Sequence, residues 1–207
     1  MQFKIKNTTY KISFTFFALL LYAVSMSESR VVLFLLISAT LHEFIHLVFI
    51  YSFSVPPETV SLSLLGANIK RGSTAAFNTN SEIIINASAP VLNIFTGVVF
   101  YFLSNCFINY QSTLSEISEV NLVLGFFNLV PFYTFDGGNV LKYILIKFFP
   151  ECTTEQIITT VSLIITVAFS FLSIHIFLNY QHNFSLIIMC IYMFLSIIFK
   201  KKNALDY

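Results

Sequence analysis

The chain has 207 residues, of which 57% are hydrophobic and only 10% charged, with a formal net charge of +1. Together with a mean hydropathy of +0.81, this excludes an ordinary soluble domain, whose charged fraction is about a quarter, and gives no support to nucleic-acid binding. The composition fits an all-α polytopic membrane protein in a single membrane-embedded domain over residues 1–207. Its 25 Phe and 10 Tyr replace the missing Trp as interfacial rings.

Six spans are expected in chain order, at about 12–26, 31–51, 82–107, 120–135, 157–178 and 184–199. The first is short and follows Lys4, Lys6 and Lys11. It reads as a retained helix rather than a cleaved signal peptide, because the link to the second span is very short. Between the second and third spans, residues 59–70 read TVSLSLLGANIK, with polar and apolar residues alternating in the first half. That is a strand pattern with Gly66 as a bend, so a small β-hairpin or re-entrant segment is expected there. The basic residues orient the chain. With six spans and an internal N-terminus, Lys4, Lys6, Lys11, Lys70, Arg71, Lys142, Lys147, Lys200, Lys201 and Lys202 all fall on the cytoplasmic side, leaving only Arg30 outside. The positive-inside rule therefore puts both termini in the cytoplasm of a multi-pass cell-membrane protein.

The second span carries the chemistry. It reads VVLFLLISATLHEFIHLVFIY, with His42, Glu43 and His46 inside an apolar run. A charge near the bilayer centre costs on the order of a few kcal/mol, and a bound metal with a water would offset it. Residues four apart share a helix face, so His42 and His46 can reach one ion while Glu43 reaches its water, as in the H-E-x-x-H pattern of zinc peptidases. A catalytic zinc usually has three protein ligands. The aspartates are Asp136 and Asp206, the latter in the tail. Asp136 follows Asn128 and Pro131 and precedes Gly137 and Gly138, where a helix is interrupted. Alone, this is a capping aspartate before a glycine turn; beside HEFIH, a third metal ligand is the stronger reading. His175 and His182 read as interfacial histidines at the external end of the fifth span. Cys106, Cys152 and Cys190 form no CxxC pair and read as independent apolar residues.

These residues together resemble the site-2 protease family of intramembrane zinc metalloproteases. Its elements are His42-Glu43-Phe44-Ile45-His46, then Ala89-Pro90-Val91-Leu92-Asn93 in place of G-P-x-x-N, then Asn128-x-x-Pro131 leading to Asp136-Gly137. They cover residues 31–140, the three-helix catalytic core of the family. Six spans with internal termini are similar to the bacterial stage IV sporulation protease branch, which cleaves a membrane-associated pro-sigma factor. The chain departs from the pattern at Ala89 and at Thr134, where many members carry Gly and Pro. It shows no PDZ insertion and none of the C-terminal nucleotide-sensing domain usual in the sporulation branch.

The resemblance implies regulated intramembrane proteolysis with one Zn2+ per chain, held by His42, His46 and Asp136. The ion would polarise the scissile carbonyl and activate a water, and Glu43 would carry its proton to the leaving amine. Asn128 and Asn93 are candidates for substrate binding, against the alternative of helix-to-helix hydrogen bonding. Implied partners are a membrane-protein or membrane-associated substrate, the lipid bilayer and regulatory membrane proteins. The competing readings are a zinc transporter, which would need a polar track and a second site, and an inactive relative that holds a membrane partner, which would not need Glu43.

Overall fold

The structure is a computed structural model and describes residues 2–5, 8–12, 30–53, 59–63, 66–70, 78–179 and 184–205. The chain divides into two compact units, Met1–Leu129 and Val130–Tyr207.

Among the described residues, the first unit contains a four-stranded sheet and three α-helices. β1 (Gln2–Ile5) pairs antiparallel with β2 (Thr8–Ile12), β2 runs parallel to β3 (Thr59–Ser63), and β3 pairs antiparallel with β4 (Gly66–Lys70), with Ser63 opposite Gly66. The N-terminal pair was not expected from the sequence, although Gln2-Phe3-Lys4-Ile5 has the polar–apolar alternation of a strand. Residues 13–29, which hold nearly all of the first expected span, lie outside the described residues. β3 is interior to the sheet, so within residues 59–70 the free edge is β4.

The helices are α1 (Arg30–Phe53), α2 (Thr79–Cys106) and α3 (Gln111–Leu129), with a short 3-10 turn at Ile108–Tyr110 before α3. α1 and α2 are long and apolar enough to cross a membrane. Their polarity is inverted relative to a soluble helix. α1 buries Ser38, His42, His46 and Ile50, four residues apart on one face, and turns Leu33, Leu41, Phe44 and Val48 outward. An apolar exterior around a polar buried stripe is what a bilayer solvent selects.

The register follows from the cross-links. Arg30 Nη1 contacts Thr113 Oγ1 at 3.4 Å, and Asn121 Nδ2 donates to Ser38 Oγ at 3.0 Å, both across 83 residues, so α1 and α3 run parallel. α2 runs against both, with Asn93 facing Asn121 and Gly97 facing Ser118. Glycines allow α2 and α3 to approach closely. A Cβ on Gly125 would lie 2.8 Å from the Pro90 carbonyl oxygen, and one on Gly97 would lie 2.7 Å from Leu122 Cγ. Ser118 Oγ uses this approach to donate to the Gly97 carbonyl at 2.7 Å.

The second unit contains α4 (Asp136–Ile146), α5 (Glu151–Asn179) and α6 (Phe184–Leu205). α5 is a third helix able to cross a membrane, and α6 contains the shorter apolar stretch Leu186–Phe199. The core is Phe132, Met193 and Ile197, packed by Tyr133, Phe135, Ile165 and Met189 among others. Lys142 pairs with Glu155 between α4 and α5. The expected fourth span at 120–135 takes a different form. Its helix is α3, which begins at Gln111 and ends at Leu129, because Pro131 supplies no backbone donor. The link expected between the third and fourth spans, at about 108–119, is therefore largely helical.

Gly138 is fixed by sterics. A Cβ there would lie 2.0 Å from the Phe132 carbonyl oxygen, a backbone atom that cannot swing away. Gly138→Ala should destabilise the second unit by about 1–3 kcal/mol, the range for forced overpacking. The check is a lowered thermal unfolding midpoint of the detergent-solubilised protein, relative to a substitution at the exposed Phe171.

Candidate metal centre

His42 and His46 are buried one helical turn apart on α1, their ring centroids 4.9 Å apart and their planes nearly perpendicular. The two Nε2 atoms converge to 3.3 Å. Each ring is held from behind through Nδ1. His46 Nδ1 donates to the Ile85 carbonyl at 2.9 Å, and His42 Nδ1 donates to Asn93 Oδ1 at 2.8 Å. A carbonyl can only accept, so the proton of the neutral His46 ring sits on Nδ1 and its Nε2 carries a lone pair. The same holds for His42 against Asn93 Oδ1.

Two buried lone pairs pointed at one another fit a shared cation. The spacing agrees: a tetrahedral ion bound at about 2.0–2.1 Å from each nitrogen separates its ligands by ~3.3 Å. Nδ1–H bonded to a backbone or amide oxygen, with Nε2 left for the ion, is the usual arrangement of a metal-binding histidine. The donor set thus fits a borderline divalent ion such as zinc.

α2 supplies both supporting oxygens, and its sequence explains how. Pro90 lies inside the helix without a backbone N–H, so the Asn86 carbonyl one turn before it loses its usual helical donor. The Ile85 carbonyl, one residue earlier, accepts from both His46 Nδ1 and Ser88 Oγ. Asn93 follows Pro90 by three residues, on the same buried face. The Ala-Pro-x-x-Asn element is therefore a support for the two imidazoles. Asn93 is buried with both ends of its amide engaged, Oδ1 by His42 and Nδ2 by Asn121 Oδ1 at 2.9 Å. Of the two readings of Asn93, substrate binding and helix-to-helix bonding, these bonds support the second.

Glu43 follows His42 on α1 and is half-buried. Asn128 lies in the last turn of α3, where its Nδ2 donates to the Leu124 carbonyl at 3.1 Å. In the second unit, Asp136 opens α4 in a first turn where helix N–H groups favour a carboxylate. The turn before it is held by Phe135 N–H to the Phe132 carbonyl at 2.9 Å and by Tyr133 N–H to Ser162 Oγ at 3.0 Å. Gly138 and Asn139 N–H both donate to the Phe135 carbonyl. His175 is exposed near the end of α5, and His182 lies outside the described residues. Cys106, Cys152 and Cys190 are free thiols. Sequence reasoning missed Asn121, Ser38 and the Ile85 carbonyl. An asparagine in the apolar run of α3 was the available signal for the first.

Residues 104–171 match peptidase family M50. The chain is also 28% identical over 189 residues to the zinc metalloprotease MJ0392 of Methanocaldococcus jannaschii, an alignment that covers 85% of this chain. It spans about half the length, 55%, of that relative. The solved structure of a site-2 protease from Methanocaldococcus jannaschii superposes with a TM-score of 0.66 at 24% identity, covering 95% of this chain and 93% of that one. The likeness establishes a shared fold.

His42→Ala and His46→Ala each remove one of the two facing nitrogens. Metal content of the purified protein should fall from about one ion per chain to a small fraction of that in both variants, as read by atomic emission after gel filtration.

Proposed function

We propose that this chain is an intramembrane zinc metallopeptidase of the site-2 protease type, which hydrolyses peptide bonds within or near membrane segments of other proteins. The observation that carries the reading is the pair of buried imidazoles, each held through Nδ1, whose Nε2 atoms meet at 3.3 Å on an apolar helix. The M50 match and the relative named as a zinc metalloprotease support it.

In this reading His42, His46 and Asp136 each give one donor atom, two imidazole nitrogens and a carboxylate oxygen, to a single zinc. The bound ion supplies Lewis acidity toward the scissile carbonyl. Glu43 takes the proton of the attacking water on its carboxylate and delivers it to the leaving amine, which is general acid–base work that histidine ligands cannot do while they hold an ion. The Asn128 amide, turned by its bond to the Leu124 carbonyl, leaves Oδ1 as the end available to a substrate N–H. A substrate helix must unwind before its amides can be attacked. β4 is the sheet edge nearest in sequence to α1, and its free backbone groups would hold the unwound strand. The substrate class is a membrane or membrane-associated protein, with a membrane-tethered pro-sigma factor the first to test by resemblance. Both termini face the cytoplasm, on the distribution of basic residues.

The decisive experiment pairs zinc content with cleavage of a membrane-protein substrate. Glu43→Gln should retain zinc and lose cleavage by about 10²–10⁴-fold, the usual contribution of a positioned acid–base group; robust cleavage by this variant would sink the assignment. Asp136→Ala should lose zinc, and unchanged occupancy would remove it from the ligand set.

Proline scanned through Ala67, Asn68 and Ile69 should slow cleavage at the position whose N–H points away from β3, with zinc retained. Full activity at all three would exclude strand pairing at this edge. Cysteine labelling should find Lys70 and Lys147 on the cytoplasmic side and Ser112 outside.

A further inference from the structure

We propose that Asn121, acting through Asn93, is a positioning residue that selects the metal-binding tautomer of His42, with Ser38 and the Ile117 carbonyl locking its orientation. The inference rests on the reading of His42 as a ligand and concerns a residue in none of the motifs.

The argument begins at a group that cannot change role. The Ile117 carbonyl only accepts, so the Asn121 atom 2.8 Å from it is the amide nitrogen. The second hydrogen of that nitrogen goes to Ser38 Oγ at 3.0 Å. Both hydrogens are then in use, and turning the amide over would set its oxygen against the Ile117 carbonyl. Asn121 must therefore present Oδ1 to Asn93. The Asn93 atom 2.9 Å away must be a donor, Nδ2, and its other end, Oδ1, faces His42 Nδ1 at 2.8 Å. An oxygen there demands a proton on Nδ1, which leaves the Nε2 lone pair of the neutral ring facing His46.

Without Asn121, nothing on this path fixes Asn93. A carboxamide turned by 180° would offer Nδ2 to His42 Nδ1, place the ring proton on Nε2 and block the donor. The choice is thus made two residues away from the ring, by the peptide carbonyl of Ile117 one turn earlier on α3. His46 needs no such relay, because a backbone carbonyl addresses it directly. The two ligands differ in how their tautomers are set, and this difference makes the proposal testable within one molecule.

The test uses the full chain in detergent with 15N-labelled histidine. Long-range proton–nitrogen spectra of protein stripped with a chelator assign the tautomer of each ring, and competition with a chromogenic chelator gives zinc affinity. Wild type should show Nδ1–H at both His42 and His46. Asn121→Leu should shift His42 alone toward the Nε2–H tautomer and weaken zinc by about 10–100-fold, the range for loss of an outer-shell partner. Asn121→Asp should restore both, because the neutral form that burial favours donates its O–H to the Ile117 carbonyl and presents its other oxygen to Asn93.

An unchanged His42 tautomer with unchanged affinity in Asn121→Leu would overturn the proposal. So would equal shifts at His42 and His46, which would indicate a general loss of packing. If wild type binds no zinc, the metallopeptidase reading fails, while the tautomer spectra still decide whether Asn121 directs His42.

Discussion

A bilayer offers a side chain no water to hydrogen-bond. The three-helix unit is organised around that constraint. Ser38, His42, His46, Ser88, Asn93, Ser118 and Asn121 are all buried on helices whose outer faces are Leu, Val, Ile and Phe. An unpaired polar group in such surroundings costs several kcal/mol, so each must find a partner in the protein. The partners found are not interchangeable. Interhelical hydrogen bonds within membranes contribute only on the order of 1 kcal/mol each, too little to explain this concentration of polar groups by stability alone. Their directions are the more informative property: they converge on two imidazoles and leave both Nε2 atoms pointing inward.

The helix interior is altered where that support is needed. Pro90 gives up a backbone bond within α2, between the Ile85 carbonyl that receives His46 and the Asn93 amide that receives His42. Gly97 and Gly125 give up side chains so that α3 can come close enough for Asn121 to reach Asn93. A glycine or proline inside a helix is unfavourable in itself. Here the glycines permit a contact that a better helix former would prevent.

The second unit solves a related problem by different means. The segment before α4 is irregular backbone, tolerated at membrane depth only against protein. Within it Phe132 N–H goes to the Val130 carbonyl, Phe135 N–H to the Phe132 carbonyl and Tyr133 N–H to Ser162 Oγ, and Phe132 is wholly buried against Met193 and Ile197. This rigid turn delivers Asp136 as the opening residue of a helix, with Gly138 as the one residue type that clears the Phe132 carbonyl.

The sequence by itself determined the membrane class, the placing of His42 and His46 on one helix face and the interruption at Pro131, because each depends on local spacing. Hydropathy marks a span without reference to partners, residues four apart share a helix face in any context, and Pro131 removes a backbone donor shortly before the Gly137-Gly138 pair. It could not assign Asn93. A lone buried carboxamide is equally able to bind substrate or another helix, and the choice is made by His42 and Asn121, which lie 51 and 28 residues away. Nor could it place β3 inside a sheet, since an alternating segment reads the same at an edge or in the middle; β2 and β4 decide that by pairing on both sides. Only the tertiary structure decided which nitrogen of each imidazole meets a supporting oxygen and which faces the other imidazole, because the direction of a hydrogen bond is a property of the pair and not of either residue.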